Sequence, residues 1–509
     1  MFAKVLSGAV VGLDGVLVEV EADILGGLPA FSIVGLPDKA VGESRERVRS
    51  SLKSISKDSF PDKKLTVNLA PSDLPKEGSS FDLPIAVSIL LANQEVIADV
   101  SDSMFLGELS LDGTLRHTKG VLPIVLLGKE KGIKQVFIPE SNTLEAAIVK
   151  GIEVYPAKTL KQIIGHLSGI KLIKRAKTIS YKKYLKDEER ELDMKDIRGQ
   201  EFVKRAIEIA VSGGHNILLK GPPGAGKTMI ARTIPSILPP LTFDEALEVT
   251  KIYSISGMLE GNSLVVIRPF RSPHHTTSHI GLIGGSTIPR PGEVSLAHRG
   301  ILFLDEFPEF PRHVLEALRQ PLEDGHVVVS RAKQRIKFPS RFMLVAALNP
   351  CPCGFCGDPN RNCRCSTSEI LRYQKRVSGP MLDRIDIHVD VQAVRVSKIV
   401  SDDDETSESS SKIRRRVVLA RKIQEMRFKN RKIITNSEMT NRDIKEFSTI
   451  EDEARKVLKQ ALLRLSLSAR GYHKVIKIAQ TIADLQNSNS IQREHVLEAL
   501  QYRPKLENS

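Results

Sequence analysis

The chain has 509 residues, 41% hydrophobic and 27% charged, a make-up of folded domains with real cores and, at about 150 residues apiece, roughly three of them. Lysine and arginine number 75 against 61 acids, a formal net charge of +14, which favours a polyanionic partner such as nucleic acid. Tryptophan is absent and aromatics are 5%, so a grip on phosphates is expected more than base stacking on aromatic platforms. No apolar run reaches the ~18 residues of a membrane span, and Leu83–Ala92 comes nearest. Val16, Val18 and Val20 alternate with Leu17, Glu19 and Glu21, which reads as a half-buried strand and not as a secretory leader. All five cysteines lie between Cys351 and Cys365, a crowding that points to metal ligands before disulfides. A soluble cytoplasmic protein is expected, with no membrane partner.

In chain order, residues 1–170 read as a mixed α+β domain. Strands are expected at Gly15–Ala22, Leu65–Leu69 and Gln135–Ile138, and helices at Lys39–Ile55 and Leu83–Asn93. Residues 171–195 begin with a basic stretch, Lys171 to Lys177, and read either as a plain linker or as a phosphate-facing arm. Over 196–395 apolar strands alternate with helices, the pattern of a parallel α/β sheet; Asn216–Lys220, Gly300–Leu304 and Phe342–Leu348 suit buried strands. A polar, acidic stretch follows at Ser401–Ser411, expected to be a mobile surface loop. The rest of 396–509 reads as helical, at Ile413–Phe428, Glu451–Ser466, Ala469–Asn487 and Gln492–Tyr502.

The strongest chemical signal is Gly221-Pro222-Pro223-Gly224-Ala225-Gly226-Lys227-Thr228, which matches G-x-x-x-x-G-K-[ST] and sits between a strand and a helix-compatible segment, Met229–Ile234. Its glycines let backbone N–H groups close round phosphate oxygens at a helix N-terminus. Lys227 is expected to reach the β- and γ-phosphates of ATP, and the Thr228 hydroxyl to ligate Mg²⁺. Downstream, the apolar strand Ile301–Leu304 ends in two acids: Asp305 suits the Mg²⁺ water shell, and Glu306 suits polarisation of the attacking water. Asn349 closes a third strand and can hydrogen-bond the γ-phosphate or the water without adding charge. Arg384 and Arg470 can supply a guanidinium to transition-state charge, although most arginines are plain surface residues.

With these residues in place, the chain resembles the YifB/ComM family of magnesium-chelatase-like AAA+ proteins over nearly its whole length. The marks are Phe31-Ser-Ile-Val-Gly-Leu-Pro-Asp, Asn68-Leu-Ala-Pro, Lys76-Glu-Gly-Ser-Ser-Phe-Asp-Leu-Pro and Pro273-His-His-Thr-Thr-Ser, followed by Pro291-Gly-Glu-Val-Ser-Leu-Ala-His, Arg319-Gln-Pro-Leu-Glu-Asp-Gly, Asn349-Pro-Cys-Pro-Cys-Gly and Ser468-Ala-Arg. The resemblance implies an AAA+ P-loop sheet with a helical lid, preceded by a Lon-protease-like α+β domain of the ribosomal protein S5 domain 2 type. It places sensor 1 at Asn349, the arginine finger at Arg384, sensor 2 at Arg470, and the adenine-facing segment at Ile197-Arg-Gly-Gln. A finger acting in trans implies a homo-oligomeric ring, a hexamer, as the catalytic unit. The ComM branch resembles a branch-migration helicase in recombination or natural transformation, which makes branched or single-stranded DNA the expected partner.

Val327–Phe338 has apolar flanks around a basic middle and reads as a hairpin with Arg331, Lys333 and Arg335 near its tip. Ring helicases related to the family line the central pore there; the plainer reading is an edge kept soluble by charge. Four thiolates can close a tetrahedral structural Zn²⁺ site, and the family pattern points to Cys351, Cys353, Cys363 and Cys365, with Cys356 as the extra thiol or a substitute ligand. His274, His275 and His298 could ligate metal or simply pack. Ser80 stands where Lon carries its nucleophile, but a gapless alignment puts Val121 where the activating lysine is needed, and Asp82 replaces a small residue, so peptidase activity is not expected. The rival to a DNA motor is a chelatase-like remodeller of a protein partner.

Overall fold

A computed structural model describes the chain except for residues 57–58, 75, 77, 179–180, 182–191, 260–263, 286–289, 332–333, 359–360, 393–407, 465–466 and 504–509. Residues 182–191 of the expected linker and 401–407 of the acidic stretch therefore lie outside the described residues, while the basic Lys171–Lys177 lies within them. The chain divides into two compact units, one of Met1–Lys186 with Thr242–Val266, the other of Asp187–Leu241 with Ile267–Ser509.

The first unit is built on a seven-stranded mixed sheet. Its strands are β1 Phe2–Val11, β2 Asp14–Leu25, β3 Ala30–Val34, β4 Lys64–Ala70, β5 Ser103–Phe105, β6 Gln135–Pro139 and β7 Glu153–Ala157, in the order β3-β4-β2-β1-β5-β6-β7. β1 and β2 form an antiparallel hairpin, Phe2 opposite Asp23 through Val11 opposite Asp14. The alternation expected from Val16, Val18 and Val20 puts Val18 and Val20 in the core. β1 carries no comparable alternation through Ser7-Gly8-Ala9, which is why periodicity alone does not find it. The Lys39–Ile55 helix spans the expected residues, N-capped by the Asp38 carboxylate on the Val41 N–H. The apolar run near Leu83 is the helix Asp82–Ala92, buried along nearly its whole length. Among the described residues no helix is long and apolar enough to cross a membrane.

The helix Phe243–Ser256 belongs to this first unit. The Ser254 hydroxyl donates to the Glu145 carboxylate at 2.8 Å and the Gly120 N–H donates to the Ser254 carbonyl. Asn142 donates to the same carboxylate at 2.6 Å, and burial raises the Glu145 pKa.

The second unit carries five parallel strands: β8 Ile217–Lys220, β9 Phe270–Arg271, β10 Ile301–Leu304, β13 Met343–Leu348 and β14 Ile387–Asp390, with the hairpin β11 His326–Arg331 and β12 Gln334–Pro339 between β10 and β13. The sheet order is β9-β10-β13-β8-β14. All four pairings are parallel, with Leu304 beside Ala346, and Lys220 beside Leu348 on one side and Asp390 on the other. The three strands read from sequence stand within one residue of their expected bounds. Being central and covered on both faces, they are continuous apolar runs, β10 buried at all four positions. Four C-terminal helices, Ser410–Arg427, Asp452–Arg464, Ala469–Leu485 and Arg493–Gln501, follow the expected helical segments, and a further short helix, Asn441–Phe447, is not expected from the sequence. Val475, Ile478 and Ile482 join Ile209, Ile217 and Ile234 in one apolar core.

That core also holds a bidentate ion pair. Arg427 Nη1 and Nη2 donate to the fully buried Asp484 carboxylate at 2.8 and 2.5 Å, and Asn436 adds a bond at 2.8 Å. Removing one partner strands a buried charge. Arg427→Ala is therefore expected to destabilise this unit by about 3–5 kcal/mol, read as a lowered urea midpoint. A midpoint equal to that of the unmodified chain would show the pair to be energetically idle.

Candidate nucleotide site and cysteine cluster

In a parallel sheet the loops at the carboxyl ends of neighbouring strands share one edge, and there ligands bind. The register here puts Gly221 after β8, Asp305 after β10 and Asn349 after β13 on that edge. The Gly221 N–H donates to the Leu348 carbonyl at 3.2 Å, so the phosphate loop and the segment bearing Asn349 leave the sheet side by side. Gly221 has no room for a side chain, since a Cβ would stand 2.2 Å from the Val391 carbonyl oxygen. Gly224 and Gly226 hold left-handed backbone, φ 77° and 84°, which L side chains adopt at a cost. Pro222 is half-buried, Pro223 and Gly224 are exposed, and Ala225 is buried beneath the loop, its N–H on the Pro222 carbonyl. The helix Lys227–Thr233 then starts with its N-terminus at the loop, as the motif predicts.

Lys227 is 9% exposed. Its ammonium donates to the carbonyls of Gly221 at 2.7 Å and Pro222 at 2.8 Å, and to Asn349 Oδ1 at 3.0 Å. All three acceptors are neutral. Burial lowers the Lys227 pKa, and the nearby Asp305 charge partly opposes this. A buried cation held by neutral oxygens at a helix N-terminus is a site with affinity for an anion. Thr228 Oγ1 donates to Asp305 Oδ2 at 2.7 Å, and Asp305 Oδ1 accepts the Glu306 N–H at 2.9 Å. The hydroxyl and carboxylate that suit Mg²⁺ are thus adjacent oxygens, and hard oxygens on few side chains fit that ion.

Glu306 has left-handed backbone, φ 49°, and an exposed carboxylate 3.4 Å from His275 Nδ1. His275 packs against His274, the rings tilted by 34° with centroids 4.1 Å apart. This partner of Glu306 is not legible as such in the sequence: Pro273-His-His-Thr reads as packing before metal ligands. His298 packs, buried, with Nδ1 accepting the Arg341 N–H at 3.0 Å. Ile197 is buried in the same core as Ala225 and Ile230. Arg384 and Arg470 converge on Glu323: Arg384 Nη2 lies 2.5 Å and Arg470 Nη2 3.3 Å from Glu323 Oε1. Arg470 also lies 3.8 Å from Asp383. Arg384 Nε is buried without a hydrogen-bond partner. Glu323, in Arg319-Gln-Pro-Leu-Glu, carried no sequence signal beyond its place in a family mark.

The hairpin expected at Val327–Phe338 is antiparallel from His326 opposite Pro339 to Arg331 opposite Gln334. Lys333 lies outside the described residues, the Arg331 backbone ends β11, and Arg335 is exposed on β12. In the first unit, Val121, which the gapless Lon alignment sets at the lysine's position, is buried among Leu122, Ile124 and Val125, and Asp82 is buried against Arg47 at 2.7 Å. Desolvation raises the Asp82 pKa while Arg47 and Ser44 oppose it.

The cysteines form one cluster. Sγ atoms of Cys351, Cys353, Cys363 and Cys365 all lie within 4.8 Å of one another. Cys351 is 3.4 Å from Cys353 and 3.7 Å from Cys363, and Cys353 is 3.6 Å from Cys363. Backbone N–H groups of Phe355 and Arg364 lower the Cys353 pKa to about 6, while desolvation and the neighbouring thiols raise that of Cys363 to about 12 and raise that of Cys365.

Three family models match the chain, described as subunit ChlI of Mg-chelatase over residues 20–142, magnesium chelatase subunit ChlI over 193–399, and magnesium chelatase subunit ChlI C-terminal over 407–503. The competence protein ComM of Haemophilus influenzae is 42% identical over 504 residues, 98% of this chain and 97% of its own. YifB of Escherichia coli is 40% identical over 498 residues, 97% and 96% of the two chains. A Lon protease of Lachnoclostridium phytofermentans is 28% identical over 167 residues, 30% of this chain and 20% of its own.

Proposed function

The chain belongs to the magnesium-chelatase ChlI-type AAA+ family that includes ComM and YifB, and from that premise we propose that it is an ATP-hydrolysing ring motor that moves on DNA. The observation that carries this reading is the single edge on which Lys227, Thr228, Asp305 and Asn349 meet. Lys227 and the loop N–H groups hold the nucleotide phosphates, and Thr228 with Asp305 hold Mg²⁺, which supplies charge neutralisation. Glu306 orients and polarises the water, Asn349 holds it or the γ-phosphate, and Ile197 borders the base. Arg384 of a neighbouring copy reaches the developing charge in a closed ring, a hexamer, with Arg470 as the second basic group over the phosphates. The C-terminal helices act as the lid, and the N-terminal unit, Lon-like in part of its sequence, organises the ring.

DNA is favoured as the track by the +14 net charge and by the basic residues Arg331, Lys333 and Arg335 in the sequence between and within the two hairpin strands. Phosphate contacts from such a hairpin follow nucleotide state without reading bases. ComM's name places that relative in competence, and branch migration of recombining strands in the cytoplasm is the role proposed here. The rival reading, remodelling of a protein partner, keeps the ATP site and dispenses with the track.

ATP turnover is expected to rise with branched or single-stranded DNA and the gain to shrink as salt rises, log affinity falling linearly with log salt. Arg335→Ala should shallow that slope by about one. Turnover indifferent to single-stranded, duplex and branched DNA alike would discard the motor and leave the remodeller.

A further inference from the structure

We propose that Cys351, Cys353, Cys363 and Cys365 hold one structural Zn²⁺, and that the knuckle it closes is a clamp on the phosphate loop. A zinc–sulfur bond of about 2.3 Å sets tetrahedral thiolates about 3.8 Å apart. The separations of 3.4, 3.6 and 3.7 Å here match that spacing. All four sulfurs lie within 4.8 Å of one another, close enough to share a single ion, whereas an iron–sulfur cluster spreads its thiolates over separate irons. No disulfide competes, since all five cysteines are free. Backbone amides complete the turn: the Cys353 N–H donates to Cys365 Sγ at 3.4 Å and the Cys356 N–H to Cys351 Sγ at 3.3 Å. Cys356 thus serves through its amide, outside the ligand set.

The knuckle touches the nucleotide edge at two places. Cys351, fully buried, stands two residues after Asn349, whose Oδ1 accepts from Lys227 at 3.0 Å. Gly354, with φ +85°, packs so closely on Pro223 that a Cβ would stand 2.4 Å from its Cδ and 2.6 Å from its Cγ. A metal held by Cys351, Cys353, Cys363 and Cys365 therefore steadies both Asn349 and the outer wall of the loop. This clamp rests on the reading of Gly221–Thr228 as the nucleotide site; the metal content does not.

Protein purified without chelators is analysed for metals by mass spectrometry, and a fluorescent ATP analogue is titrated into it. About one zinc per chain is expected. Cys353→Ser and Cys365→Ser should lose it and Cys356→Ser should keep it. Gly354→Ala should also keep its zinc while binding the analogue about tenfold more weakly, because its backbone is left-handed and its Cβ meets Pro223. Lys227→Ala should lose the nucleotide and keep the zinc, which separates failure of the clamp from failure of the nucleotide site. Iron or no metal in the unmodified chain, or loss of zinc from Cys356→Ser, overturns the metal assignment. Unchanged nucleotide affinity in Gly354→Ala overturns the clamp.

Discussion

Glu306→Gln is expected to bind ATP with nearly unchanged affinity and to turn it over about 10²–10³-fold more slowly, the range for loss of a general base. The carboxylate lies outside the groups proposed to hold phosphate, Lys227, the loop amides and Thr228; the Lys227 ammonium and the Thr228 hydroxyl bond elsewhere. Its N–H is pinned to Asp305 Oδ1 at 2.9 Å and its side chain faces His275 at 3.4 Å. An amide of the same shape keeps that placement and loses the charge that polarises water. Binding of a fluorescent analogue, measured beside phosphate release, separates the two steps. Turnover within about threefold of the unmodified chain would remove Glu306 from the chemistry, since a general base contributes far more. Loss of binding would make it a phosphate-site residue instead.

Arg384→Ala should lower turnover by about 10³-fold, the effect of removing a guanidinium from developing phosphoryl charge. The side chain is 9% exposed and held by Glu323 at 2.5 Å and by the Pro380 carbonyl. Its Nε–H has no partner and is buried, an unmet donor that costs free energy until an acceptor arrives. If the arginine serves the next subunit, inactive Arg384→Ala protein mixed with inactive Lys227→Ala protein should recover activity. An intact phosphate loop then meets an intact arginine across some interfaces. A mixture as inactive as its components would mean that the arginine works in its own subunit or not at all.

Much of the nucleotide edge was readable without coordinates because its parts are local. A glycine-rich loop between an apolar strand and a helix declares itself in Gly221–Thr228, and two acids at the end of Ile301–Leu304 do so nearly as well. Four of the C-terminal helices and the three central strands were legible for the same reason, helical periodicity and short unbroken apolar runs being set by neighbours in the chain. The sequence was mute on pairings between distant residues. Nothing local joins His275 to Glu306, Arg384 and Arg470 to Glu323, or Gly354 to Pro223.

By itself, then, the sequence determined the family and brought the G-x-x-x-x-G-K-[ST] loop, the acids at a strand end and the crowded cysteines into view, because each is a matter of residue types at short, fixed spacing. The choice of four thiols among five came from the family pattern. Tertiary structure alone decided that Thr242–Val266 fold with the N-terminal unit, with Ser254 bonded to Glu145, and that the cysteine knuckle leans on the nucleotide edge. Strand order and close packing bring those groups together across loops of any length, and loop length costs the chain little free energy.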